Sequence, residues 1–160
     1  MDAWIGVVST LLGALIGSAV SYLLTRNRDI ERSRIDRTLR LMEQYNSAEF
    51  LKMRGDADRI LDAYFETHER CSWNKLYHDL KENYTPISAI EHFYQMLLYL
   101  HESKEINDIL ARKFWAGHFN HWYSKHFGSL TDISIRNGEE TENATMRRLL
   151  HWFGSQQPPP

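Results

Sequence analysis

The chain has 160 residues, 42% of them hydrophobic and 25% charged, a balance that excludes a disordered or low-complexity chain. Its formal charge of −2 is unevenly placed: residues 26–40 hold six arginines against three acids, and residues 41–160 hold 13 bases against 17 acids. That distribution excludes a uniformly basic nucleic-acid binder, and the single cysteine, Cys71, excludes an internal disulfide.

The first predicted element is a transmembrane anchor within residues 1–25. Trp4 to Leu24 is 21 residues without a charged side chain. At about 1.5 Å per residue such a helix spans roughly 31 Å, matching a hydrocarbon core of about 30 Å. Trp4 and Tyr22 are placed for the two interfaces. A cleavable signal peptide would carry a basic leader, and only Met1, Asp2 and Ala3 precede the run. Arg26, Arg28, Arg32 and Arg34 follow it, and positive charge is retained on the cytoplasmic side. The expected placement is therefore the inner (plasma) membrane, with the N-terminus outside and the body in the cytoplasm. Ser9, Gly13, Gly17 and Ser21 recur every four residues, a stripe of small side chains on which a second helix can pack closely. The expected partners are membrane lipid and either a second copy or another membrane protein.

Residues 26–46 read as a helical stalk continuous with the anchor, because no Gly or Pro occurs between Ser18 and Arg54. Ile35, Leu39 and Met42 supply its apolar stripe. Residues 47–154 read as the helical domain. Asn46 as N-cap with Glu49 three residues on predicts a helix over about 47–68, burying Leu51, Ile60, Leu61, Tyr64 and Phe65 and tolerating Gly55. Ser72 caps a short helix with Trp73, Leu76, Tyr77 and Leu80 on one face. Thr85-Pro86 marks a restart with proline in the first turn, and Ile87–Leu100 is apolar almost all round, as a central helix would be. Ser103 predicts a cap for a helix over about 104–127 carrying Ile106, Ile109, Leu110, Phe114, Trp115, Phe119, Trp122 and Tyr123. Residues 128–138 read as a loop, from Gly128, Asn137-Gly138 and the alternation Asp132-Ile133-Ser134-Ile135. A last helix near 140–153 closes on Leu149, Leu150, Trp152 and Phe153, and residues 155–160 form a proline-rich tail. The fold class expected is all-α: one transmembrane helix continuing into a cytoplasmic bundle of about five helices.

Two blocks of residues resemble a known family. The first is Arg37-Thr38-Leu39 with Tyr45-Asn46-Ser47-Ala48-Glu49-Phe50 and Arg54; the second runs from His92-Phe93-Tyr94-Gln95-Met96-Leu97 through Glu105-Ile106 and Phe114 to His121-Trp122-Tyr123. Over about residues 1–130 the chain is similar to a family of short bacterial and phage proteins that pair an N-terminal membrane helix with a helical domain of unknown function. The resemblance implies fold and location, and carries no activity with it.

Residues that could carry chemistry are few. Eight histidines invite a metal, and His118 and His121 share a helix face, with Glu91, His92, His101 and Cys71 as further donors. The Glu-x-x-His pattern of bundle metal sites is missing, so no metal and no cofactor is expected. Trp115, Phe119 and Trp122 fall at i, i+4, i+7, the spacing of a packed core, with a partner-binding groove as the alternative. Cys71 lies near His68 and His78 in sequence, which does not orient a thiolate and base. Without a glycine-rich phosphate loop or catalytic motif, no small-molecule substrate is identified and no enzyme is expected. The expected function is that of a membrane-anchored interaction or regulatory protein. The alternatives are a membrane-active effector of bacterial or phage conflict, and a membrane-surface enzyme using histidine.

Overall fold

A computed structural model describes the backbone of residues 2–139 and 143–154, and the side-chain surroundings of 17–18, 20–139 and 145–154. Among the described residues the chain is entirely helical. In order come α1 (Asp2–Tyr45), α2 (Ala48–Thr67), α3 (Trp73–Leu80), a 3₁₀ turn (Lys81–Tyr84), α4 (Thr85–Glu102), α5 (Asp108–Trp122), a π turn (Tyr123–Phe127), α6 (Gly128–Arg136) and α7 (Asn143–Gly154). The tail and residues 140–142 lie outside the described residues.

α1 is one unbroken helix of 44 residues, about 66 Å long at the usual rise. Among the described residues no helix is long and apolar enough to cross a membrane. Most of the Trp4–Leu24 run, residues 4–16 and Ala19, lies outside the described side chains, as do Ser9 and Gly13 of the small-residue stripe. The described stretch of α1 just after the apolar run is exposed. Gly17, Ser21, Arg26, Arg28 and Arg32 are exposed, and so are Val20, Tyr22, Leu23 and Leu24.

The stalk meets the body on a different face from the expected one. Leu39 is 45% exposed, whereas Thr38, Leu41 and Tyr45 are buried and Ile35 and Met42 half-buried. A polar contact selects that face: Thr38 Oγ1 accepts a hydrogen bond from the Asn107 backbone N–H at 2.9 Å and donates to the Arg34 carbonyl at 2.7 Å. Glu31 accepts from Asn107 Nδ2 at 2.6 Å, and Arg37 pairs with Glu105. Hydrophobic spacing alone would not place a threonine at the centre of a helix contact.

α2 begins one residue later than predicted. Ser47, not Asn46, is its N-cap, accepting from the Phe50 N–H at 3.2 Å. Phe50 turns inward and Leu51 outward as a consequence. Ser72 caps α3 as expected, accepting from the Lys75 N–H, and Trp73 and Leu76 are buried; Tyr77 is exposed instead of sharing their face. α4 restarts at Thr85-Pro86 and packs along α2 with Ile87, Ile90, Phe93, Tyr94, Leu97 and Leu98 buried. Ser103 ends α4 rather than starting the next helix. The N-cap of α5 is Asn107, whose side chain accepts from Leu110 N–H at 2.9 Å, because Lys104 takes a left-handed φ of 57° and turns the chain first. Ile109 is therefore 78% exposed.

The expected loop at 128–138 is helix as far as Arg136. Leu130, Thr131 and Ser134 face inward, not the alternating isoleucines. Ser134 Oγ accepts the Trp73 backbone N–H at 2.8 Å and Thr131 Oγ1 the Trp73 indole N–H at 3.3 Å, so α6 receives the start of α3. Only Asn137-Gly138 is a turn, with Gly138 at φ +77°. α7 closes the bundle on α4, α5 and α6 through Met146, Leu149, Trp152 and Phe153, while Leu150 is exposed. The core is continuous and aromatic at its centre. Tyr45 packs on Phe50, Phe93 and Trp115, and its hydroxyl lies 3.4 Å from that of Tyr94.

Candidate functional site

The densest charged constellation joins α2 to the π turn. Asp58 and Asp62 are four apart on α2 and share a face. A π turn inserts an extra residue into a helix and re-aims the side chains around it. Here it directs Lys125 and His126 at those two carboxylates together. Lys125 Nζ lies 2.8 Å from Asp58 Oδ1 and 2.8 Å from Asp62 Oδ2. His126 Nε2 lies 2.9 Å from Asp58 Oδ1 and 3.8 Å from Asp62 Oδ1, with the ring only 2% exposed.

The electrostatics follow from that geometry. Burial opposes ionisation of Asp58, but hydrogen bonds from Lys125 and His126 outweigh it and hold the carboxyl below its ordinary value. The two carboxylates raise the Lys125 pKa. Burial lowers that of His126 more than Asp58 raises it. Asp58, Asp62 and His126 can bring one ligand atom each within 4.8 Å of one another, which makes them the group with metal-ligand spacing among the described residues. The residues present do not fit a metal. Lys125 already supplies the cation between the carboxylates, and ligation through Nε2 would move the ring proton to Nδ1, which is buried without a hydrogen-bond partner. The cluster pins α2 to the π turn.

His118 and His121 are not joined by a third donor in this way. His121 is exposed, and His118 packs against Tyr45 and Phe114 with its pKa lowered by burial, Arg54 and His121. The other expected donors are dispersed: Glu91 accepts from the Tyr84 hydroxyl at 3.0 Å, His92 meets Ser88 at 3.2 Å, and His101 meets Asp108 at 2.7 Å. Cys71 is buried, and burial pushes its thiol pKa up. Its contact is the Tyr64 hydroxyl at 3.6 Å, and Tyr64 donates in turn to Asp79 at 2.5 Å. A raised pKa disfavours the thiolate, the form in which cysteine acts as nucleophile or ligand. Nearby His68 stacks on the Tyr64 ring rather than facing the sulfur.

Trp115, Phe119 and Trp122 are buried in the core, which removes them as an exposed partner-binding groove. Of the arginines after the anchor, Arg34 is half-buried and lies 3.7 Å from Glu31, while Arg26, Arg28 and Arg32 are exposed.

Several concave surfaces lie among the described residues, and two of them involve α4. One, of about 360 Å³, lies between α2 and α4 and is walled by Phe50, Met53, Phe93 and Met96 with Glu49 and His92 at its edge. The other, of about 520 Å³, lies between α4, α5 and α7 and is predominantly cationic. The chain has no significant match to a known protein family, a curated protein or a solved structure.

Proposed function

We propose that this chain is a single-pass membrane-anchored interaction or regulatory protein, which associates through its first helix with a second copy or another membrane protein and holds its helical domain at the cytoplasmic face. The observation that carries this reading is α1 itself. One helix runs from Asp2 to Tyr45, begins in a charge-free apolar stretch, and ends gripped by the body through Glu31, Arg37 and Thr38. Between these ends its apolar side chains Val20, Tyr22, Leu23 and Leu24 have no cover from the body, as a helix intended for lipid or another helix would present them. A rigid rod of this kind would pass a change in helix packing at the stripe directly to the α4–α5 turn.

The test has two parts. The full chain, expressed with a C-terminal tag, should remain with membranes through alkaline carbonate washing; release into the wash would remove the anchor. Gly13→Leu with Gly17→Leu should weaken association in a membrane dimerisation assay without changing membrane retention. Association equal to that of the unaltered chain would remove the packing role of the stripe.

A further inference from the structure

The cationic cleft between α4, α5 and α7 is not explained by the anchor, the core or the Asp58–Lys125 cluster. Its walls bring Arg112 from α5 together with Arg147, Arg148 and His151 from α7, and His101 from the end of α4. Glu102 is the one carboxylate in that wall. The floor is apolar, formed by Leu98 and Trp152, both almost fully buried, and His101 stacks on the Trp152 ring at 4.0 Å.

The arginines are not equally satisfied. Arg148 pairs with Glu102 and Arg147 with Asp132, the latter at 3.3 Å, and all four of these side chains are well exposed. Arg112 has no ion-pair or hydrogen-bond partner among the described residues, and its Nε is buried. Arg112 is half-buried, and an N–H withdrawn from water without a partner is costly until an acceptor arrives. Its planar fork suits the paired oxygens of a phosphate. Exposed ion pairs such as those of Arg147 and Arg148 are weak, and a multiply charged anion can displace them.

We propose that this cleft binds a phosphate group, with Arg112 as its fixed donor and Arg147 and Arg148 turning in from the rim. About 520 Å³ accommodates a phosphate with a short organic portion against the Trp152 floor. The cleft is built from the last turn of α4 and the first turns of α5, directly beside the 103–107 turn that grips α1. An anionic phospholipid headgroup and a soluble phosphate compound offer the same chemistry; the lipid source rests on the membrane reading above, whereas phosphate recognition does not.

The full chain in mild neutral detergent is titrated with inorganic phosphate and with glycerol phosphate at constant ionic strength. Titration runs to about 10 mM, well past the ~1 mM range of a weak small-ligand site, and is read by calorimetry and thermal melting. Saturable binding is expected. Arg112→Gln should weaken it by about tenfold or more, and Arg147→Gln with Arg148→Gln, two exposed positions that leave the fold alone, should weaken it too. Arg26→Gln with Arg28→Gln on the stalk should leave it unchanged. Mixed micelles containing phosphatidylglycerol then separate the sources. Competition with glycerol phosphate, missing with phosphatidylcholine, assigns the headgroup; no competition assigns a soluble ligand. No saturable binding of any of the three phosphates, or equal binding by both cleft variants and the unaltered chain, overturns the proposal. Release of the chain by carbonate, with soluble phosphate still bound, would remove the anchor and leave the site standing.

Discussion

His126 places Nε2 2.9 Å from the Asp58 carboxylate and leaves its other ring nitrogen, Nδ1, buried without a hydrogen-bond partner. With the ring neutral and its proton on Nε2, the first contact is a donated hydrogen bond and Nδ1 carries only a lone pair. Protonation would add a second N–H that meets no acceptor, so the fold favours one tautomer of the neutral ring.

Acid sensitivity follows. Burial, the largest influence, lowers the His126 pKa below 6.5; Asp58 opposes it and the Lys125 charge adds to it. The unfolded chain takes up a proton near 6.5 that the folded chain refuses until lower pH. The stability contributed by neutral His126 is therefore complete above 6.5 and is lost as pH falls toward the folded value. His118, shifted the same way, acts in the same window. Asp58, held below 3.8, adds a further loss at lower pH still. The urea midpoint should fall between about pH 7.5 and about pH 5.5, either side of the ordinary imidazole value. His126→Gln should shrink that fall, and an undiminished fall would mean that His126 does not titrate there.

Lys125→Met removes the ammonium shared by Asp58 and Asp62. Both carboxylates and the lysine are more than a third exposed, so solvent screens the pairs and the loss should be only about 0.5–1 kcal/mol. The difference from the unaltered chain should narrow in ~0.5 M salt. Denaturant melts at two salt concentrations measure both points.

Thr38→Val keeps the shape of a fully buried side chain and removes the acceptor of the Asn107 N–H. The donor is only part-buried, so leaving it unmet should cost about 1 kcal/mol, the low end for such groups, and the stalk should loosen from the α4–α5 turn. Amide exchange at Asn107 should accelerate more than exchange in the middle of α4. Equal acceleration at both places would show that the variant lowers global stability without a local effect on the grip.

Gly128 and Gly117 should respond in opposite directions to alanine. A Cβ on Gly128 would sit 2.9 Å from the Tyr123 carbonyl oxygen, so Gly128→Ala must strain the π turn and lower the melting temperature. Gly117 is on the exposed side of α5 with nothing within 4 Å. There the helix preference for alanine should add about 0.5–1 kcal/mol. Paired melts of the two variants check the contrast.

Much of the architecture was legible because local chemistry decides it. Ser72 can satisfy an orphan N–H at a helix start, Pro86 fits a first turn, and the run from Ile87 to Leu100 is apolar enough to place most of its helix in the core, although Tyr99 faces out. The spacing of Trp115, Phe119 and Trp122 likewise announces burial before any partner. The charge-free run at Trp4–Leu24 and the arginines that follow are also properties of composition alone, and they carry the proposed anchor.

Other features depend on what the rest of the chain brings to them. Leu39 faces out and Thr38 faces in because Asn107, distant in sequence, offers an N–H that the Thr38 hydroxyl can accept and a leucine side chain cannot. Gly128 reads as a helix stop in sequence, yet it is the residue small enough to let the Tyr123 carbonyl approach within a helix that continues. Asp58 and Asp62 share a helix face by their spacing, but nothing in the sequence joins them to Lys125 and His126, and a π turn has no composition of its own, so tertiary packing alone assembles the four. The same holds for Arg112 among the arginines of α7. Capping, proline and apolar periodicity act over a few residues, so the sequence by itself determined the all-helical class and the starts of α3 and α4, while the caps of α2 and α5 and the helix at α6 were settled by tertiary contacts. Which face each helix turns inward, and which charges meet, was decided by polar contacts between segments that are far apart in the chain.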